Sequence, residues 1–122
     1  ELELATALKT IPAEADAIWL SNSHVAVKMA VNIVAAATKM KIPVASPLDQ
    51  SAAGVLVTYA PKHQKIGTQI SRLADKLLGG VAISSLPIET ADFYLTLNLE
   101  TAKKIGVETP SYLLNQADFV IR

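Results

Sequence analysis

The 122-residue chain contains no cysteine. Disulfides, zinc–thiolate sites and thiol nucleophiles are therefore excluded, although the compartment is not decided by this. Aromatic residues make up only 5% of the sequence, so the 51% hydrophobic fraction rests mainly on alanine, valine, leucine and isoleucine. That mixture suits helices layered tightly on a sheet and argues against disorder. Net charge is also missing: 11 basic and 11 acidic residues balance without strong segregation. The basic face expected of a nucleic-acid binder is absent. Long apolar runs are lacking too. The longest candidate, Met29 to Thr38, is flanked by Lys28 and Lys39 and falls far short of the ~20 residues that span a bilayer. The opening Glu1-Leu2-Glu3-Leu4 has neither an initiator methionine nor a basic start leading into an apolar run. The expectation is an internal, soluble part of a longer polypeptide, large enough to bury one core.

Catalytic signatures are missing as well. There is no Gly-X-Gly-X-X-Gly after the first strand, no Walker-type loop and no Gly-X-Ser-X-Gly elbow. Ser21 and Ser23 lie near His24, but nothing supplies an orienting acid and an oxyanion hole together. His24 and His63 have no second histidine nearby and no carboxylate four residues on, so no metal set is read from them. The expectation is a noncatalytic protein without metal or cofactor.

What is present is a strand–elbow–helix–strand unit. The apolar run Ala17 to Leu20 stops at Ser21-Asn22-Ser23-His24, a helix pattern runs from about Ser23 to Met40, and Ile42 to Ala45 forms a second strand. In open α/β sheets ligands sit where strands hand over to helices. Asn22, Ser23 and His24 are thus candidate ligand contacts, with Asn22 or Ser23 equally placed to cap the helix. Asp49 and Gln50 follow the second strand on the same sheet edge. Gly54 to Tyr59 reads as a third buried strand whose last residue, Tyr59, is the aromatic expected to reach a ligand. Trp19, inside a strand, is expected in the core.

From His63 to Leu78 the pattern is amphipathic: Ile66, Ile70, Leu73, Ala74, Leu77 and Leu78 share a stripe, and Gly79-Gly80 supplies the stop. After a polar linker, Phe93 to Leu97 reads as a strand and Asn98 as the cap of a short helix ending at Gly106. Pro110 to Arg122 is too apolar for a free tail. Strands alternating with helices imply an α/β fold, a largely parallel sheet with helices layered on it.

Three phrases in this order resemble a known family. ADAIWLSNSHVAVKMAVNIVAAATKMKIPVAS resembles the second-lobe βαβ unit of ABC-transporter substrate-binding proteins of the type I periplasmic binding fold. AAGVLVTYAPKHQKIGTQISRLADKLLGG resembles the crossing strand and helix that follow, and SLPIETADFYLTLNLETAKKIGVETP the closing segment. The resemblance implies a three-layer α/β fragment, the C-terminal part of a two-lobed protein. About 1–46 would be the second-lobe unit, about 54–80 the crossing strand and helix, and about 84–122 the return strand, helix and tail.

The resemblance further implies a small polar solute, an amino acid being one such class, closed between lobes and delivered to an ABC permease outside the cytoplasm. A ligand-sensing or degenerate binding domain of a signalling protein is the alternative on the same fold. The amino-acid-binding branch carries Asp-Asn where this chain has Ser23-His24, an acid where it has Pro47-Leu48, and a further Asp where it has Lys62. Homo-oligomer formation is expected, because helices made for a second lobe would leave apolar faces open.

Overall fold

The computed structural model describes residues 2–122. The chain runs α1 (Leu2–Ala7), β1 (Ile18–Trp19), α2 (His24–Lys28), α3 (Ala30–Met40), β2 (Val44–Ser46), β3 (Val57–Pro61), α4 (His63–Leu78), β4 (Phe93–Asn98), α5 (Leu99–Ile105), α6 (Ser111–Gln116) and β5 (Phe119–Ile121). Short 3₁₀ turns occupy Ser51–Ala53 and Ile83–Ser85. Contacts divide this into two units: residues 1–60 with 94–122, and residues 61–93.

The larger unit carries the sheet, whose strand order is β1-β2-β3-β4-β5. β1 with β2, β2 with β3, and β4 with β5 pair in parallel. Helices flank a mostly parallel sheet, as the alternating apolar pattern predicts. Side-chain alternation then sorts the residues by face. Ile18, Leu20 and Val44 pack with Ala30, Ile33, Val34 and Ala37 of α3 and with Val55. Leu4 and Leu8 of the N-terminal segment join this cluster; Glu1 and the side chain of Leu2 lie outside the described residues. A second cluster sets Leu56 against Ala102 and Ile105 of α5. Each such Leu, Ile or Val stabilises the fold by about 1.5–3 kcal/mol relative to exposure.

Three expectations need correction, and one is filled in. Trp19 is not in the core but 65% exposed. β1 is the edge strand, and Ile18 and Leu20 already take the face that α3 covers, so alternation sends Trp19 to the opposite, open face. The expected helix from Ser23 to Met40 is broken at Met29 (φ −100°, ψ 10°) into α2 and α3, within a stretch where β-branched Val25, Val27 and Val31 lower helical propensity. The strand expected from Gly54 starts only at Val57, because Gly54 sits at φ +89° and closes the 3₁₀ turn. The apolar tail folds into α6 and β5, with Thr96, Leu97 and Asn98 in register with Phe119, Val120 and Ile121.

The smaller unit is α4 with the segment that returns from it. Gln69 Nε2 donates to Glu89 Oε2 at 2.9 Å and to the Thr90 carbonyl at 3.1 Å, and Arg72 pairs with the same carboxylate. The Gln69 hydrogen bond, followed by the Arg72 guanidinium, holds the Glu89 carboxyl below its ordinary value of 4.5. No residue of 61–93 is buried. α4 therefore has an apolar stripe but no core of its own.

Candidate functional site

The carboxyl ends of β1, β2 and β3 point the same way because the three strands are parallel, and each hands over to a polar segment there. After β1 comes the elbow. Asn22, Ser23 and His24 are all exposed. Ser23 has extended backbone (φ −74°, ψ 145°), and its Oγ accepts from the Ala26 amide at 3.1 Å, which makes it the N-cap of α2. The choice left open between Asn22 and Ser23 is thus resolved: Ser23 caps, and the Asn22 side chain stands in solvent beside it.

This assignment predicts unequal costs for two neighbouring substitutions. Ser23→Ala should lower stability by about 1 kcal/mol through the lost cap, while Asn22→Ala should stay within about 0.5 kcal/mol of wild type, as exposed surface changes do. Urea unfolding followed by far-UV circular dichroism measures both. Equal losses at the two positions would contradict the cap.

After β2 comes Ser46 to Gln50. Ser46 is 1% exposed, and its Oγ accepts from the Leu48 amide at 3.1 Å, turning the chain off the strand. Asp49 is exposed and accepts from the Ser51 hydroxyl at 2.8 Å. Gln50 is 8% exposed; its amide donates to the Leu48 carbonyl at 2.8 Å, and its carbonyl accepts from Ala53 at 3.0 Å. Its side chain is different. Neither Nε2 nor Oε1 has a hydrogen-bond partner, although both are shielded from water. Leaving such a group unmatched costs about 2–7 kcal/mol depending on the reference state.

On β3, Tyr59 is 58% exposed, whereas Thr58 is 1% exposed with its hydroxyl unpartnered. Register places Thr58 directly beside Ser46 on the face covered by α3. Trp19, Ala45 and Val57 lie side by side on the other face, and Tyr59, two residues beyond Val57, shares it. The elbow, the Asp49–Gln50 loop and Tyr59 thus occupy one sheet edge. Within it, Gln50 faces inward and Tyr59 outward.

Sequence reasoning missed Ser46 and Thr58. The available signal was a hydroxyl residue near the carboxyl end of each of two adjacent apolar strands, which costs desolvation unless it serves a turn or a ligand. The edge carries two kinds of chemistry: neutral donors and acceptors from Asn22, Ser23 and Gln50, and an exposed aromatic surface from Tyr59. Among the described residues, no group of three or more His, Asp or Glu is placed to hold a metal ion.

Two grooves border α3 elsewhere on this unit. One of about 550 Å³ is lined by Leu8, Met29 and Ala36 among others, and one of about 400 Å³ lies against Gly54, Asn98 and Thr101. Neither contains a candidate site residue. No helix of the described residues is long and apolar enough to cross a membrane.

Three solved structures share this fold over 98% of the chain. A conserved domain protein from Vibrio cholerae superposes with a TM-score of 0.75 at 20% identity. An ABC domain in complex with L-Trp from Streptococcus pneumonia gives 0.76 at 19%. A ligand-free, open substrate-binding protein with adhesive properties from Clostridium difficile gives 0.71 at 23%. The chain spans 41% of the length of each. No curated protein matches it. The family described as ABC transporter substrate binding protein matches residues 1–121. The chain belongs to the ABC transporter substrate-binding protein family.

Proposed function

We propose that this chain forms one wall of a solute-binding cleft in a two-lobed protein that captures a small polar molecule outside the cytoplasm and delivers it to an ABC permease. The observation that carries the reading is the family match over residues 1–121, joined to a sheet edge where neutral polar groups and an exposed tyrosine collect. On this reading residues 1–46 are the second-lobe βαβ unit, 54–80 the crossing strand and helix, and 84–122 the return strand, helix and tail. The protein would be noncatalytic. Its work is binding and a change of shape.

Asn22, Ser23, His24, Asp49, Gln50 and Tyr59 are the proposed ligand contacts. Ser23 spends one lone pair on its cap and keeps its proton for a ligand acceptor. Gln50 holds an unmatched amide donor and acceptor next to the edge, so a small shift of the 47–50 loop would let a ligand satisfy both. The chain passes between its two units twice, near residues 60 and 93, and those passages are the proposed hinges. A solute that contacts both lobes favours closure by its differential affinity for the closed state, and a permease reads that state.

The L-Trp held by the Streptococcus pneumonia relative makes an amino acid the first ligand class to test. Ser23 and Leu48 stand where carboxylates would meet an ammonium group, and Lys62 is basic. That pattern favours a second reading, a domain that senses a different solute or has lost its ligand within a signalling protein.

The decisive sample is the longer two-lobed protein. In a thermal-shift panel of amino acids and related polar solutes, a ligand present at 100 times its Kd adds about 2.7 kcal/mol to stability. Tyr59→Ala and Gln50→Ala should reduce that shift. A panel in which no amino acid raises the melting temperature would sink the amino-acid assignment and leave the sensing reading in place.

A further inference from the structure

Three side chains of the larger unit enclose polar atoms that nothing in the chain matches: both ends of the Gln50 amide and the hydroxyls of Thr58 and Thr96. Gln50 is 8% exposed, Thr58 1% and Thr96 2%. They come from separate parts of the sequence, and the sheet gathers them. β4 lies beside β3 and runs back along it. The Asn98 amide donates to the Leu56 carbonyl at 2.9 Å, and Thr101, further along, donates its hydroxyl to the Gly54 carbonyl, further back, at 2.8 Å. Two residues before Asn98 and two after Leu56, Thr96 therefore meets Thr58. Thr58 in turn lies beside Ser46. Three buried hydroxyls thus form a row across β2, β3 and β4, on strands about 4.8 Å apart.

Gln50 belongs to the segment laid over this row. Residues 47–56 join β2 to β3 without a long helix, so they carry the chain from the carboxyl end of one parallel strand back to the amino end of the next. The crossing is made on the face that α3 covers, because a Cβ at Gly54 would stand 3.1 Å from Val34 Cγ1. Ser46 and Thr58 lie on that same face. At the far end the crossing is tied down by Asn98, whose side-chain amide donates to the Ser51 carbonyl at 3.3 Å. Gln50 sits between these two fixed points, Ser46 and Ser51.

We propose that a water molecule bridges the Gln50 amide to the hydroxyls of Thr58 and Thr96 in the solute-free protein. The groups are all neutral, and between them they offer both donors and acceptors. A charged ligand placed here would find no counter-charge and would lose its hydration. The atoms are shielded by this chain itself, so no further part of a longer polypeptide closes on them from outside. A buried water makes about three hydrogen bonds to polar groups left over by the chain, and this set supplies three side chains. The water pins the crossing segment to the sheet beneath it. A solute that reaches Gln50 takes its place.

The test needs no solute, so it stands or falls separately from the transport proposal. A crystal of the longer two-lobed protein, grown without solute and solved at atomic resolution, should show a water within about 3.2 Å of the Gln50 amide and of both threonine hydroxyls. Density in which the Gln50 amide bonds directly to a threonine or to the backbone, with no water between, would overturn the proposal.

Thr58→Val and Thr96→Val give a second readout, since valine keeps the shape and removes the hydroxyl. Each takes a partner from the water, and each should lower the melting temperature by about 2–4 °C. The double variant should lose less than the sum, because the first substitution already releases the water that both share. A rise in melting temperature on either substitution would mark a hydroxyl that water never matched, and would also overturn the proposal. Where a variant does not fold, the wild-type crystal still decides.

Discussion

Leu97→Ala should lower the unfolding free energy by about 3–4 kcal/mol, within the range of leucine truncations in packed cores. Leu97 is 1% exposed and among the largest fully buried side chains of the chain. It sits in β4 between buried Thr96 and Asn98, and is paired in register with Val120. Both neighbouring strands and the helices above them are fixed by other contacts, so the walls of the cavity cannot close fully. The lost transfer energy and the cavity term therefore add. Against a total stability of about 5–15 kcal/mol, the variant should unfold at much lower urea concentration by far-UV circular dichroism. Leu78→Ala is the matched control: Leu78 is 89% exposed, and its truncation should change stability by less than about 0.5 kcal/mol. A Leu97→Ala loss under 1 kcal/mol would mean that the core around β4 is not packed as described.

The second large effect is expected at Gly54, where substitution by valine should cost about 3 kcal/mol, combining a left-handed backbone with a forced contact. The φ of +89° already disfavours any side chain, and a β-branched one most of all. A Cβ there would stand 3.1 Å from Val34 Cγ1 and 3.7 Å from Thr101 Oγ1. Neither neighbour is free to move. Val34 belongs to the principal core cluster, and Thr101 Oγ1 donates to the Gly54 carbonyl at 2.8 Å. The Asn98 amide reaches the Ser51 carbonyl at 3.3 Å, so the whole 3₁₀ turn is tied to the start of α5. Gly67→Ala should act in the opposite direction and stabilise by about 0.5–1 kcal/mol, because Gly67 lies in a helix with open space around it. If Gly54→Val unfolds at the same urea concentration as wild type, the close approach of the turn to α3 and α5 is not real.

These two glycines show where a sequence stops being readable. Local chemistry was legible. Asn98 was placed as the cap of the helix from Leu99, and its Oδ1 does accept from the Thr101 amide at 3.0 Å. Gly106 was placed as the stop, and it adopts φ +75°. The strand–elbow–helix–strand unit and its parallel pairing were also legible, because the apolar period and the hydroxyl-rich break are properties of neighbouring residues. Position within the sheet was not. Whether Trp19 is buried depends on β1 being an edge strand, and only the strand order decides that. The same holds for Gln50, which the sequence puts with Asp49 on the sheet edge without telling that its side-chain amide is enclosed. β5 was hidden for a related reason: Phe119 to Ile121 is three residues long, too short for a period, and becomes a strand only because β4 offers it a ladder.

All six aromatic residues lie outside the buried core: Trp19, Tyr59, Phe93, Tyr112 and Phe119 are exposed, and Tyr94 is half-buried with its ring edge-on to Phe119 at 5.8 Å. The indole of the folded chain therefore already sits in water, so its fluorescence resembles that of an unfolded protein and changes little when the chain denatures. An intact sample would look spoiled by that measure. The same exposed indole makes a sensitive reporter of arrival, because a blue-shifted emission would register whatever covers the open face of β1.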